Sequence, residues 1–184
     1  WIEGTIEGPS MGISGNVTEA HLKELNFTSV EIEGMAYLKE LDLSKNKLAT
    51  FDLKSITPLE NLNLSNNQLV NNTYERRTLS LEYAGETLST LNVGHNDGLI
   101  CLDIRDLISL KYFSANDCAS LGSVFICMPE DTRTELVNID LSNCDLAHFY
   151  PVNLPNLRVL NLANNCLMTE ADDEPFTMDN YPSL

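Results

Sequence analysis

Apolar residues along this chain recur in a fixed pattern. Leu38–Leu48 reads L-x-x-L-x-L-x-x-N-x-L, and Leu59–Leu69 repeats the pattern 21 residues later. The L-x-L alternation predicts a short strand, because successive side chains of a strand point to opposite faces. The asparagine that follows predicts a turn out of the strand. The chain is therefore expected to consist of repeated strand–turn units.

Seven such units can be followed through the sequence. They begin at Val17, Leu38, Leu59, Leu88, Leu110, Leu136 and Leu157. The column that carries the asparagine continues from Leu25 as Asn46, Asn67, Asn96, Cys118, Cys144 and Asn165. We expect these side chains to bond backbone groups of the turn and of the neighbouring unit, which would otherwise be buried and unpaired.

A second apolar pattern marks the outer half of the units. It occurs at 30–32, 51–53, 79–81, 102–104, 124–126 and 176–178. The sixth unit departs from it with Phe149-Tyr150-Pro151, so its outer turn is expected to lack strand pairing. Extra residues around 70–77, 128–134 and 170–175 are polar or contain proline, and are interpreted as loop insertions.

The two ends of the chain differ from the regular units. Residues 1–16 are predicted to be a lead-in or cap, and residues 17–184 the repeat domain. The segment 18–25 is either a first repeat unit or a short capping helix with Thr18 as its N-cap. Leu184 stands where an eighth unit would begin, so we expect a chain cut from a longer array or an end that is shielded.

The period and the consensus are typical of leucine-rich repeats, which recur about every 20–29 residues. One unit has too little apolar surface to fold alone, and stacked units bury a continuous leucine column. The predicted fold is an α/β-type solenoid: a right-handed superhelix with a parallel β-sheet on the concave face. Its convex segments should be mostly irregular, short-strand or 3-10 in structure.

Net charge limits the possible partners. The chain carries 27 acidic and 11 basic residues, a formal charge of −16. Nucleic acid and anionic membrane surfaces require basic patches, so both are disfavoured as partners. No segment is long and apolar enough to insert into a membrane, and no signal segment is recognised, so a mature or trimmed form is expected.

The five cysteines show no metal-site spacing. Cys118 and Cys144 occupy the asparagine column in adjacent units, where a disulfide is geometrically conceivable and two buried thiols are the preferred interpretation. Four N-x-[ST] sequons, at Asn16, Asn26, Asn63 and Asn71, are weak signals in an asparagine-rich chain.

No catalytic constellation is recognised. The sequence lacks a nucleophile elbow, H-E-x-x-H, a phosphate loop and C-x-x-C, and its three histidines fall in different units. The acidic run at 172–174, with Asp179 nearby, does not match an EF-hand and is interpreted as a solvated loop. The chain is therefore predicted to be no enzyme, with no metal and no cofactor.

The exposed strand positions supply the candidate binding residues. They are rich in small polar groups, which suit either a protein or a glycan ligand, although short residues also fit the inner curve of a solenoid without binding anything. The candidates are Asp42, Asn63, Asn92, His95, Tyr112, Ser114, Asp140 and Asn161. Tyr112 and His95 are the residues among them that most resemble interface anchors.

The regular units at 38–48 and 59–69, followed by 136–146 and 157–167, resemble secreted, internalin-like bacterial leucine-rich repeat proteins. This resemblance implies an extracellular or cell-surface binding module of a bacterium. The alternatives are an intracellular scaffold, suggested by the thiols and the missing cysteine caps, and the repeat region of a larger enzyme or effector.

Overall fold

A computed structural model describes residues 6–7, 10–32, 34–53, 58–70, 79–81, 84–126, 135–149 and 154–167. Its strands, in chain order, are β1 (Ile6–Glu7), β2 (Ser10–Ile13), β3 (Glu19–His21), β4 (Ser29–Ile32), β5 (Glu40–Asp42), β6 (Phe51–Asp52), β7 (Asn61–Asn63), β8 (Leu79–Ser80), β9 (Thr90–Asn92), β10 (Cys101–Asp103), β11 (Tyr112–Ser114), β12 (Ser123–Phe125), β13 (Asn138–Asp140) and β14 (Val159–Asn161). The predicted solenoid is confirmed.

The main sheet has seven parallel strands in the order β3-β5-β7-β9-β11-β13-β14. Each strand supplies three residues and pairs with the same positions of the next unit, so the L-x-L register continues from the first unit to the last. The segment 18–25 contributes β3 to this sheet. The alternative of a capping helix there is therefore wrong.

Short strands form the opposite, outer side of the solenoid. β2 pairs with β4, β6 with β8 and β10 with β12, all parallel, while β1 pairs antiparallel with β2. These outer strands coincide with the predicted second apolar pattern in the first five units. The described residues contain no α-helix. The predicted insertions lie almost entirely outside the described residues, as do the acidic run at 172–174, Asp179 and residues 176–178 and 184.

The inward-facing residues of the strands form the core. Leu41, Leu62 and Leu91 are at most 1% exposed. In the fifth unit Phe113 and Ala115 stand in place of the two leucines of the L-x-L motif, and both are buried. The larger phenylalanine compensates for the smaller alanine, so the side-chain volume within the unit is roughly conserved. Truncation of Leu62 to alanine should cost about 2–5 kcal/mol of stability.

The asparagine column joins successive units through backbone groups. In each case the Nδ2 donates to a carbonyl of the preceding unit: Asn46 to Leu22 at 2.8 Å, Asn67 to Leu43 at 3.0 Å, Asn96 to Leu64 at 3.0 Å and Asn165 to Leu141 at 2.7 Å. The Oδ1 accepts the N–H of a leucine in that same unit, for example Leu48 N–H on Asn67 at 3.0 Å. One side chain therefore satisfies a buried donor and a buried acceptor.

Cysteine in this column reproduces only half of that function. The Sγ of Cys118 donates to the Val93 carbonyl at 3.5 Å, and the Sγ of Cys144 to the Ala115 carbonyl at 3.1 Å. A thiol is a weak acceptor, so it cannot replace the amide oxygen for a leucine N–H. The two thiols are buried and free of disulfides, and burial raises the pKa of Cys118 to about 12.

The turn after the asparagine column is one residue longer in the two units that precede the cysteine-bearing units. In a unit followed by one with asparagine in the column, the last leucine of the motif comes two positions after the unit's own column residue, as Leu69 does after Asn67. Where the next unit has cysteine, it follows by three, as in 96–99 and 118–121. The longer turn lets Leu99 N–H bond the Asn96 carbonyl at 3.1 Å and Leu121 N–H bond the Cys118 carbonyl at 2.9 Å. The extra residue thus removes the need for an amide oxygen in the next unit.

Candidate ligand-binding face

The central outward position of each main-sheet strand forms one continuous row. Strand register aligns Asp42 with Asn63, Asn63 with Asn92, Asn92 with Ser114, Ser114 with Asp140, and Asp140 with Asn161. Neighbouring members lie about 4.8 Å apart, the spacing between paired strands. The fold therefore places six of the eight candidate residues side by side on the concave face.

Most of this row is held by hydrogen bonds to its own backbone. The Oδ1 of each Asp or Asn accepts the N–H of the residue two positions later, at 2.9 to 3.2 Å. This Asx turn caps the end of the strand and fixes the side chain in one rotamer. The five residues that make it are Asp42, Asn63, Asn92, Asp140 and Asn161.

The second polar atom of each of these five side chains remains for a ligand. Within the described residues, the Nδ2 groups of Asn63, Asn92 and Asn161 donate no hydrogen bond to the chain. Asp42 and Asp140 offer an Oδ2 atom in the same position. The row therefore presents fixed donors and acceptors at strand spacing, and each is only partly buried.

The fifth unit interrupts the row of Asx turns. Ser114 Oγ donates instead to Asn116 Oδ1 at 2.8 Å. The Asn116 side chain crosses toward Gly94, where an added Cβ would stand 2.5 Å from its Oδ1 and 2.9 Å from its backbone oxygen. Glycine is thus required at position 94 because the neighbouring strand approaches so closely.

The residue before the asparagine column has a left-handed backbone in all seven units. These residues are Glu24, Lys45, Asn66, His95, Asp117, Asn143 and Asn164, with φ between 55° and 62°. Asparagine and aspartate tolerate this conformation better than most residues. The amide-rich composition of this column therefore has a backbone reason independent of any ligand.

Side chains of this left-handed column also contact each other between units. Lys45 Nζ lies 2.8 Å from Glu24 Oε1, and this bond lowers the pKa of Glu24 and raises that of Lys45. His95 Nε2 lies 3.6 Å from Asp117 Oδ2, and Asp117 Oδ1 accepts a hydrogen bond from Asn143 at 2.9 Å. The candidate residue His95 thus lies at the border of the face, beside the central row.

Tyr112 lies at the first position of β11 and is 51% exposed. The same position of β14 carries Val159, which is 48% exposed. They are the two large apolar side chains exposed on the seven main-sheet strands. Val159 and Lys111 were not among the predicted site residues, although aligning the first strand position across the units places Val159 in the same column as Tyr112, two strands away across Asn138.

The described residues contain no group of three His, Cys, Asp or Glu side chains that could hold a metal ion. No helix within the described part of the chain is long and apolar enough to cross a membrane. The groups described on this face offer hydrogen bonding, charge and apolar contact. Such a face suits recognition of a ligand.

Comparison with known proteins identifies the class. The family model described as Leucine Rich Repeat matches residues 37–59 and 156–178. Together with the parallel solenoid, these matches show a leucine-rich repeat fold, which typically serves as a non-catalytic binding scaffold and commonly binds proteins.

One solved structure with the same fold is described as "Functional domain of InlJ from Listeria monocytogenes includes a cysteine ladder". The TM-score is 0.60 at 23% sequence identity, covering 84% of this chain and 34% of that one. This chain thus spans about a third of that domain's length. A search of curated proteins gave no match.

Proposed function

We propose that this chain is a non-catalytic ligand-binding module of a secreted or cell-surface bacterial protein, and that it binds through the concave face. The observation that carries the proposal is the central row of Asx turns. Because the Oδ1 atoms are occupied by backbone N–H groups, the remaining Nδ2 and Oδ2 atoms are preoriented toward solvent. Preorganised polar groups lose less conformational entropy on binding than mobile ones do.

The likeness to the InlJ domain supports the bacterial surface assignment. That protein is described as having a cysteine ladder, and here Cys118 and Cys144 occupy one column of successive units. A protein ligand is favoured over a glycan, because leucine-rich repeat domains commonly bind proteins and Tyr112 is of the residue type enriched at protein interfaces.

The test is an array of proteins and glycans screened with the whole chain and with Asn63→Asp. This variant keeps an Oδ1 acceptor for the Ser65 N–H and replaces the outward Nδ2 donor by a carboxylate oxygen. Asp42 and Asp140 show that aspartate makes the same turn in this row, so the fold should be unchanged. We expect ligand binding to weaken about tenfold, as for the loss of one well-placed polar contact.

Asn63→Arg and Tyr112→Ala extend the test, and Asp52→Arg is the matched control on the exposed outer strand β6. Binding should survive in the control and fall in the concave variants. If every hit binds all concave variants as tightly as the unaltered chain, the concave face is the wrong surface.

An intracellular scaffold is the second candidate, favoured by one observation: the described thiols of Cys118, Cys144 and Cys166 form no disulfide. Cysteines of secreted proteins are more often paired. Thiol titration of the native protein from its own cells separates the two, since oxidised Cys166 would support the extracellular assignment. Reading the complete gene would show whether the module belongs to a larger enzyme or effector.

A further inference from the structure

Basic and apolar side chains gather at one end of the concave face. They occupy the first position of β11, β13 and β14 and the residue just before it. We call this set the docking patch: Lys111, Tyr112, Val137, Asn138, Arg158 and Val159. Lys111, Tyr112, Arg158 and Val159 are exposed, and Val137 and Asn138 are partly buried.

Strand pairing makes the docking patch continuous. Tyr112 pairs in register with Asn138, and Asn138 with Val159. In the preceding position, Val137 N–H bonds the Lys111 carbonyl at 2.9 Å and Arg158 N–H bonds the Val137 carbonyl at 2.8 Å. The patch is therefore two residues deep and three strands wide, and the backbones of Lys111 and Arg158 are two strand spacings, about 10 Å, apart.

The two cations of the patch have no ion-pair partner among the described residues. The residue just before the strand is ion-paired in the second and third units, where Lys39 Nζ lies 2.7 Å from Glu60 Oε1. The first position of the strand is glutamate in the first two units, at Glu19 and Glu40. The patch is thus an unneutralised basic and apolar area on a chain of net charge −16.

We propose that the docking patch binds an acidic segment of a partner protein that also carries an apolar side chain. This inference rests on the proposed concave-face function and names its partner chemistry. Carboxylates of the partner would pair with Lys111 and Arg158, and its apolar side chain would cover Tyr112 and Val159. Tyrosine and arginine are the residue types that most often dominate binding energy at interfaces. The net charge of −16 disfavours binding of acidic segments elsewhere on the chain and so favours this basic patch.

The experiment selects short random peptides displayed on phage against the immobilised whole chain. Enriched peptides should combine aspartate or glutamate with an aromatic or aliphatic residue. Their affinity, measured by fluorescence anisotropy with labelled synthetic copies, should fall as salt is raised, because the cations are exposed.

Two variants test the patch directly, each with a matched control. Lys111→Glu combined with Arg158→Glu, and separately Tyr112→Ala, should weaken the enriched peptides by about tenfold or more. Lys47→Glu and Tyr37→Ala alter an exposed lysine and an exposed tyrosine outside the patch. These controls should change affinity by less than about twofold, and circular dichroism should show the same fold in all variants.

The other outcomes overturn the inference. Enrichment of basic or neutral peptides, or of none, refutes an acidic partner. If acidic peptides bind the patch variants with unchanged affinity but Asn63→Asp more weakly, binding lies elsewhere on the concave face. That result refutes the docking patch and leaves the proposed function supported. If a glycan binds in a Tyr112-dependent way and no acidic peptide is enriched, the patch recognises a sugar and the acidic partner is refuted. If no peptide, protein or glycan responds to any concave variant, the proposed function fails as well.

Discussion

Replacing Asn96 by cysteine should strongly destabilise the chain, although cysteine occupies the same column in the next two units. Asn96 is fully buried; its Oδ1 accepts Leu69 N–H at 3.0 Å and its Nδ2 donates to the Leu64 carbonyl at 3.0 Å. A thiol could still donate weakly to Leu64, as Cys118 donates to Val93. It offers no adequate acceptor to Leu69, whose short turn supplies no carbonyl of its own unit.

The magnitude follows from the groups left unpaired. An orphaned buried N–H costs about 1–3 kcal/mol, and the weakened donor bond about 1 kcal/mol more. Asn96→Cys should therefore lose about 2–4 kcal/mol of unfolding free energy. For a chain of this size, that corresponds to a fall in melting temperature of roughly 4–16 °C.

Urea unfolding followed by circular dichroism and by aromatic fluorescence measures the loss, and agreement of the two probes supports a cooperative transition. Cys118→Ala is the matched variant: it removes one weak thiol bond and should cost about 1 kcal/mol. Gln68→Ala, at an exposed position, should be neutral. If Asn96→Cys proves as stable as the unaltered chain, turn length does not determine which residue the column requires.

Three further outcomes are expected. Gly94→Ala should destabilise by about 1–3 kcal/mol in urea unfolding, because the new methyl would meet the Asn116 backbone oxygen, whereas Gly12→Ala, with no atom within 4 Å, should not. Since the folded-state pKa of Cys118 is raised from 9.0 to about 12, its thiol stabilises the fold below pH 9.0. As pH rises from 9.0 toward 12, unaltered chain should lose stability relative to Cys118→Ala by at most about 1.4 kcal/mol per pH unit, and a constant difference would contradict this. Iodoacetamide at neutral pH should modify the exposed Cys166 before the buried Cys118, as mass spectrometry would show; equal rates would refute the burial.

The strand positions could be predicted because the L-x-L pattern encodes them directly. The leucines at 41, 62 and 91 must face inward for any unit to bury its apolar side chains, and this fixes the register of the whole sheet. The turn-length correspondence is also present in the sequence, in the extra residue of 96–99 and 118–121. Its meaning required the hydrogen bonds, because spacing alone does not show which N–H lacks a partner.

The roles of the polar residues could not be predicted from periodicity. Asn63 and Asn66 are both outward-facing asparagines of one unit, yet Asn63 caps its strand and Asn66 has a left-handed backbone. A column of amides has the same appearance in sequence whether it binds a ligand, caps a strand or accommodates positive φ. The exposure of Lys111 and Val159 likewise depends on where each strand begins.

Hydrogen–deuterium exchange on the whole chain, with and without the tightest peptide from the selection, tests concave-face binding most directly. Binding through the concave face predicts slower exchange in 111–114, 137–140 and 158–161, with little change in the outer strands. Slower exchange confined to the outer strands β4, β6, β10 and β12 would contradict it.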